Sequence, residues 1–165
     1  RAWDARSSDR ERQMVQPQTP ERMRGDVEYT TAAEGDCYES SVLSFMGNSW
    51  TEFGLPDERK KWTLVHTMCR GSGPIEGVRF GHAFLFNREW GLVLDLANGK
   101  GGLLPSHRYF KIGCVDPDKY PFHEYTYPEM VAEMLAHETY GPWGDAFDEI
   151  TKIESESMEA AGLVK

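Results

Sequence analysis

The chain has 165 residues, with 27 acidic and 18 basic side chains and a formal net charge of −9. This length suits one domain with a single core, and the acidic balance argues against binding to a nucleic-acid backbone. No apolar run approaches the roughly 18 residues that a membrane-spanning helix needs. The three cysteines, Cys37, Cys69 and Cys114, are odd in number and widely spaced. This pattern argues against disulfides and predicts a reducing, cytoplasmic compartment.

Composition divides the chain into three parts. Residues 1–31 are polar and charged with little apolar periodicity, so we predict a flexible N-terminal arm there. Residues 32–144 contain the apolar runs and turn signals of a packed domain. Residues 145–165 are acidic and predict a frayed helix or tail beyond the packed region.

A helix is predicted from Cys37 to about Met46. Asp36 suits the N-cap, and Glu39 follows three residues later, as in a capping box. Apolar residues recur at helical spacing on one face: Tyr38, Val42, Phe45 and Met46. Cys37 then lies in the first turn, where the helix dipole favours a thiolate, although the acidic neighbours act in the opposite direction.

Four strands and a second helix are predicted further along the chain. The strands cover residues 62–69, 78–86, 92–97 and 109–115, and the helix runs from Pro128 to about His137. The strand at 78–86 is apolar on both faces, so both faces must be covered. We expect the Cys37 helix on one face and the C-terminal helix on the other.

Two neighbouring strands each carry one polar residue in an apolar run, His82 and Asp95. If Phe86 pairs with Gly91 across a four-residue loop, His82 lies directly opposite Asp95 on the same face. A slip of one residue would move the carboxylate to the other face.

Cys37, His82 and Asp95 are the residue types that nucleophilic attack on an amide requires: a thiol, a base and a group that orients the base. Backbone N–H groups at the start of the Cys37 helix would bind the developing oxyanion. Weaker candidates for oxyanion or substrate contacts are Tyr38, Asn98 and Trp143.

Each of these residues also has a structural interpretation. A buried free cysteine is common, a strand histidine is often a core group, and Asp95 would also suit a cap on the turn at Asn98. Zinc bound by Cys37, His66, Cys69 and His82 is a further alternative. It is disfavoured because His66 and Cys69 are three residues apart on a strand and point to opposite faces. No metal or cofactor is expected.

The same residues resemble the transglutaminase-like branch of the papain-like cysteine enzymes. The shared pattern is Gly35-Asp36-Cys37 opening a helix, Gly81-His82-Ala83-Phe84 on a strand, and Asp95 on the next strand. Phe84 stands where the family pattern usually has tryptophan. The chain is also similar to small proteins common in phage genomes, through Leu64-Val65-His66, Gly73-Pro74-Ile75, Asn98-Gly99 and Tyr140-Gly141-Pro142-Trp143. The likeness covers about Gly35 to Gly144.

The resemblance implies an α+β fold of papain-like or transglutaminase-like type, with the nucleophile helix packed on a small antiparallel sheet and a C-terminal helix. It implies acyl transfer at a thiolate with a protein or peptide substrate, as in a protease, a deamidase or a transglutaminase. The alternative hypothesis is a non-catalytic module of the same fold that docks its acidic surface on a basic protein partner.

Overall fold

The structure, a computed structural model, describes residues 37–97 and 102–164. Within them the helices are α1 (Cys37–Met46), α2 (Ser106–Gly113), α3 (Tyr127–His137) and α4 (Gly144–Ala160). The strands are β1 (Thr63–Arg70), β2 (Arg79–Asn87), β3 (Leu92–Asp95), β4 (Gly102–Pro105) and β5 (Phe122–Tyr125). The predicted arm at residues 1–31, the N-cap Asp36 and the candidate Asn98 lie outside the described residues.

The five strands form one antiparallel sheet in the order β4-β3-β2-β1-β5. The predicted α+β class is therefore confirmed, and three predicted strands and two predicted helices recur within two residues of their expected bounds. None of the described helices is long and apolar enough to cross a membrane.

The first face of the sheet is covered by α1 and α3 together. Val42 and Phe45 of α1 and Met130 of α3 are buried in one cluster with apolar side chains of β1, β2 and β3. Burying each side chain of this size contributes roughly 1.5–3 kcal/mol. The prediction that the helix from Pro128 to about His137 covers the second face is therefore wrong, because this helix, α3, shares the first face with α1.

The second face is covered by α2, in the segment where we expected a fourth strand. Tyr109 and Phe110 of this helix pack on Phe84, Phe86 and neighbouring apolar residues of the sheet. A short apolar run does not distinguish a strand from a buried helix. Here the helix forms because β2 is apolar on both faces, so its second face must also be covered.

The acidic segment after Gly144 belongs to the packed structure. It forms α4, in which Ala146 and Ile150 are buried and pack with Met68 of β1. The expectation of a frayed tail from residue 145 is corrected, because apolar residues at helical spacing bury one side of the helix. Acidic side chains on its other side remain in water.

Candidate active site

His82 and Asp95 meet on the face of the sheet that α2 covers. Nε2 of His82 lies 2.8 Å from Oδ2 of Asp95 and donates a hydrogen bond to it. Both side chains are buried, with 5% of His82 and 4% of Asp95 exposed. The bond is therefore formed in surroundings of low dielectric, where attraction between charges is stronger than at the surface.

The β2–β3 hairpin has a different register from the predicted one. Its loop has the expected four residues but starts one residue later, so that Asn87 pairs with Leu92. Continuing this ladder places Asp95 level with Phe84, two residues from the predicted position opposite His82. The predicted register is wrong, but a slip of two keeps each side chain on its face. Diagonal neighbours on one face remain within reach of each other.

The electrostatics of the pair favour an imidazolium beside a carboxylate. Burial alone would lower the pKa of His82, but the charge of Asp95 and hydrogen bonds to Asp95 and Cys37 raise it well above its usual value. Burial alone would raise the pKa of Asp95, but the charge and hydrogen bond of His82 and hydrogen bonds from Tyr109 and the Ala97 amide lower it.

Cys37 is the first residue of α1 and is partly exposed. Its side chain is within hydrogen-bonding reach of the His82 ring. Since Nε2 of His82 faces Asp95, the ring nitrogen that can accept the thiol proton is Nδ1, on the other side of the ring. The imidazole thus stands between a thiol and a carboxylate, the order of groups that activates a cysteine nucleophile.

Side chains from α1 and α4 close the edge of β2 that β3 does not reach. The β2–β3 ladder covers residues 85–87. Beyond it, Ser41 donates a 2.9 Å bond to the Ala83 carbonyl, Glu154 accepts from the Gly81 amide, and Ser157 accepts a 2.7 Å bond from the Arg79 amide. Strand groups that would otherwise be unpaired are satisfied, and both helices are held against the stretch of β2 that contains His82.

Gly81 permits this close approach of the two helices. A Cβ atom at this position would lie 2.5 Å from the Tyr38 hydroxyl and 2.5 Å from Cγ2 of Ile150. Both distances are shorter than real Cβ contacts, so a larger residue would force α1 or α4 away from the strand. The glycine before His82 is therefore a packing requirement of the site.

Tyr109 is a site residue that sequence reasoning missed. Its hydroxyl donates a 2.7 Å hydrogen bond to Oδ2 of Asp95, and its ring packs on Phe84 at a centroid distance of 4.8 Å. A single tyrosine in a segment predicted as a strand has no motif that marks it. The role of Tyr109 could have been predicted only if residues 106–113 had been assigned to a helix that covers the second face.

The two weaker candidates that the structure describes lie on the α1 face, whereas the His82 ring lies on the α2 face. Trp143 is 2% exposed, donates to the Thr139 carbonyl at 3.0 Å and packs on the His66 ring. Tyr38 packs edge-on against the same ring, and its buried hydroxyl has no hydrogen-bond partner among the described residues. Both side chains pack against the His66 ring, and the substrate-contacting role expected of them stays a prediction.

The residues of the zinc alternative are divided between the two faces. His66 is buried among Tyr38, Tyr125 and Trp143 on the α1 face, whereas Cys69 and His82 belong to the α2 face. Within the described residues, no group of three or more His, Cys, Asp or Glu side chains is placed to hold a metal ion.

An open depression of about 420 Å³ lies where α3 ends and α4 begins. Its lining residues include His137, Trp143 and Phe147 but none of the Cys-His-Asp group. It is therefore a separate feature from the candidate active site.

Comparisons of the chain with protein-family models, with curated proteins and with solved structures find no match.

Proposed function

We propose that this protein is a cysteine-dependent amide hydrolase or acyltransferase with a Cys37–His82–Asp95 triad. The observation that carries the proposal is the position of the His82 ring, which bonds Asp95 through Nε2 and has Cys37 in reach of its other nitrogen. The order of the three groups matters, because a carboxylate on one side of the imidazole ring favours transfer of the thiol proton to the nitrogen on the other side.

The proposed reaction begins with the thiol proton of Cys37 on His82. The thiolate sulfur attacks the carbonyl carbon, and the carbonyl π electrons move to oxygen to give a tetrahedral oxyanion. Backbone N–H groups in the first turn of α1 have no partners within the helix and can donate to this oxyanion. The C–N bond then breaks, His82 protonates the leaving amine, and a thioester forms on Cys37.

The second half of the reaction returns the enzyme to its starting state. An acceptor, either water or a primary amine, gives a proton to His82 as it attacks the thioester carbon. The C–S bond breaks, the product acid or amide leaves, and the proton on His82 again faces the thiolate. Water as acceptor makes the protein a protease or deamidase, and an amine makes it a transglutaminase-type enzyme.

The finer fold assignment belongs to the same proposal. The arrangement of a nucleophile helix against an antiparallel sheet supports a papain-like or transglutaminase-like fold. The three free cysteines and the charge of −9 support a reducing cytoplasm and no nucleic-acid partner. The resemblance to the transglutaminase-like enzymes implies a protein or peptide substrate.

Alkylation with iodoacetamide, resolved by mass spectrometry for each cysteine, tests the proposal without a known substrate. Cys69 and Cys114 are internal references, because burial raises the pKa of Cys69 to about 11 and Cys114 is exposed. We expect Cys37 to react fastest at pH 6, where an ordinary thiol is almost entirely protonated, and to lose this advantage in His82→Gln. Cys37 labelling no faster than Cys114 would remove the enzyme proposal and favour a binding module.

A further inference from the structure

Tyr109 occupies a position that the proposed triad does not explain. Its hydroxyl and Nε2 of His82 donate to the same carboxylate oxygen, Oδ2 of Asp95, at 2.7 and 2.8 Å. Oδ1 accepts from the Ala97 amide at 3.0 Å. The carboxylate is therefore held at both oxygens, by a helix on one side and by its own turn on the other.

The surroundings make this hydroxyl a donor and prevent it from ionising. Burial and the charge of Asp95 raise the pKa of Tyr109 well above its usual value, so that it stays neutral over the range in which proteins are folded. A neutral phenol beside a carboxylate donates its proton and stabilises the anion. The ring itself is anchored by its contact with Phe84.

We propose that Tyr109 is a positioning residue of the site, which keeps Asp95 ionised and aims Oδ2 at His82. The proposal rests on the proposed function for its chemical purpose, since Tyr109 acts through Asp95 and does not touch the thiol. The other titratable groups near the pair are Cys37 from α1 and Cys69 from β1, both of which act on His82.

Removal of the Tyr109 hydroxyl should change the pKa of Asp95 in one direction. A hydrogen bond to the charged form of a carboxyl lowers its pKa, so Tyr109→Phe raises the pKa of Asp95. The phenyl ring keeps the packing on Phe84. A protonated Asp95 no longer stabilises the imidazolium, and Cys37 therefore loses activation at a higher pH than in the wild type. At acid pH, where Asp95 becomes protonated in the variant before it does in the wild type, we expect alkylation of Cys37 to be slower in Tyr109→Phe by up to roughly tenfold, since one pKa unit is a factor of ten.

Two readouts test the proposal in wild type and Tyr109→Phe. The first is the ¹³C carboxyl signal of Asp95 against pH, which needs no thiol chemistry. We expect the ionised signal to persist to lower pH in the wild type than in the variant. The second is the Cys37 alkylation profile, whose acid limb moves to higher pH. Tyr125→Phe is the matched control, because its ring packs on the opposite face, and it leaves both readouts unchanged.

The double variant separates positioning from packing. If Tyr109 acts through Asp95, then Asp95→Asn and Asp95→Asn/Tyr109→Phe have the same alkylation profile. A further loss in the double variant overturns the proposal, as does an Asp95 signal with the same pH dependence in wild type and Tyr109→Phe. If the Asp95 signal shifts while Cys37 responds to neither Tyr109→Phe nor Asp95→Asn, the contact with Tyr109 stands and the proposed triad function fails.

Discussion

Two buried histidines on neighbouring strands have opposite surroundings. His82 of β2 faces α2 and lies between Cys37 and Asp95, which raise its pKa well above the usual value although burial opposes them. His66 of β1 faces α1 among aromatic rings, and burial lowers its pKa to about 3. Both ring nitrogens of His66 are without a hydrogen-bond partner among the described residues.

The difference shows that burial alone does not determine the charge of a histidine. Both side chains are almost completely removed from solvent, 5% exposed for His82 and 0% for His66. A carboxylate within hydrogen-bonding distance stabilises the charged ring, whereas aromatic neighbours give no compensation for lost hydration. The sequence marks both histidines as candidate site residues. Only their neighbours in the fold distinguish His82, which belongs to the candidate site, from His66, which packs in the core.

The two histidines affect stability in different pH ranges. The folded pKa of His82 is raised, so its contribution is complete below about pH 6.5 and is lost as the pH rises through the folded value. The folded pKa of Asp95 is lowered, so its contribution is present above about pH 4 and is lost as the pH falls through the folded value. His66 acts in reverse: below about pH 6.5 the unfolded chain binds a proton that the folded chain takes up only near its folded pKa of about 3.

The largest expected effect comes from Asp95→Asn on the α2 face. The amide keeps the size of the side chain but removes the charge that raises the pKa of His82, so the imidazolium is no longer favoured beside Cys37. We expect alkylation of Cys37 at pH 6 to slow by about a hundredfold, because the imidazolium that stabilises the thiolate is no longer held in place by a carboxylate. The rate is measured by mass spectrometry of the labelled peptide.

Asp118→Asn is the control for this prediction, because Asp118 lies in an exposed loop. It should leave the alkylation profile of Cys37 unchanged. Superimposable profiles for Asp95→Asn and the wild type would remove Asp95 from the mechanism. They would leave Asp95 as a residue of the turn that it makes with the Ala97 amide.

The next effect concerns the α1 face, where His66→Phe removes a group that opposes folding in acid. At pH 4.5 protonation of His66 in the unfolded chain costs the wild type roughly 2–3 kcal/mol, and the variant is free of this cost. Urea unfolding at pH 4.5 and 7.5 measures the difference. We expect His66→Phe to gain stability relative to the wild type on going from pH 7.5 to 4.5.

The exposed His107 gives the matched control, as His107→Phe should show no such pH-dependent gain. An equal change in stability at both pH values in His66→Phe would mean that His66 is protonated in the folded protein. The claim that burial keeps His66 neutral in the folded protein would then be wrong.

A smaller effect is expected at Gly81, where α1 and α4 approach β2 closely. Gly81→Ala places a methyl group 2.5 Å from Tyr38 and Ile150, and overpacking of this kind costs about 1–3 kcal/mol. Gly113→Ala on the α2 face is the control, because its Cβ would lie 3.4 Å from Val115 and 3.5 Å from Cys69, close to ordinary contact. Thermal unfolding should show a clear loss for the first variant and little for the second, and equal losses would contradict the close approach at Gly81.

Much of the sheet and the Cys-His-Asp group could be predicted because periodicity and residue type carry the signal. The α1, β1, β2 and β3 segments have long apolar runs with clear ends, and Cys37, His82 and Asp95 stand out within them. The strands β4 and β5 have four residues each, as β3 has, but they are only partly buried and lack its apolar run. They are edge strands, formed by pairing with β3 and β1.

The remaining errors depend on tertiary packing. The run at residues 109–115 is ambiguous in isolation, and the helix is chosen because the second face of β2 needs a cover. The hairpin register depends on where its loop begins, which the apolar pattern does not specify. Tyr109 becomes recognisable only when that helix brings its hydroxyl to Asp95.

The most direct test of the central contrast is an NMR titration of both histidine rings in one sample, in the wild type and in Cys37→Ala. We expect His82 to titrate well above its usual value, and to titrate lower in Cys37→Ala because the hydrogen bond that the imidazolium donates to the Cys37 sulfur is lost. His66 should stay neutral as long as the protein is folded. A His82 ring that titrates at or below the usual value, or that is unaffected by Cys37→Ala, would contradict the proposed triad.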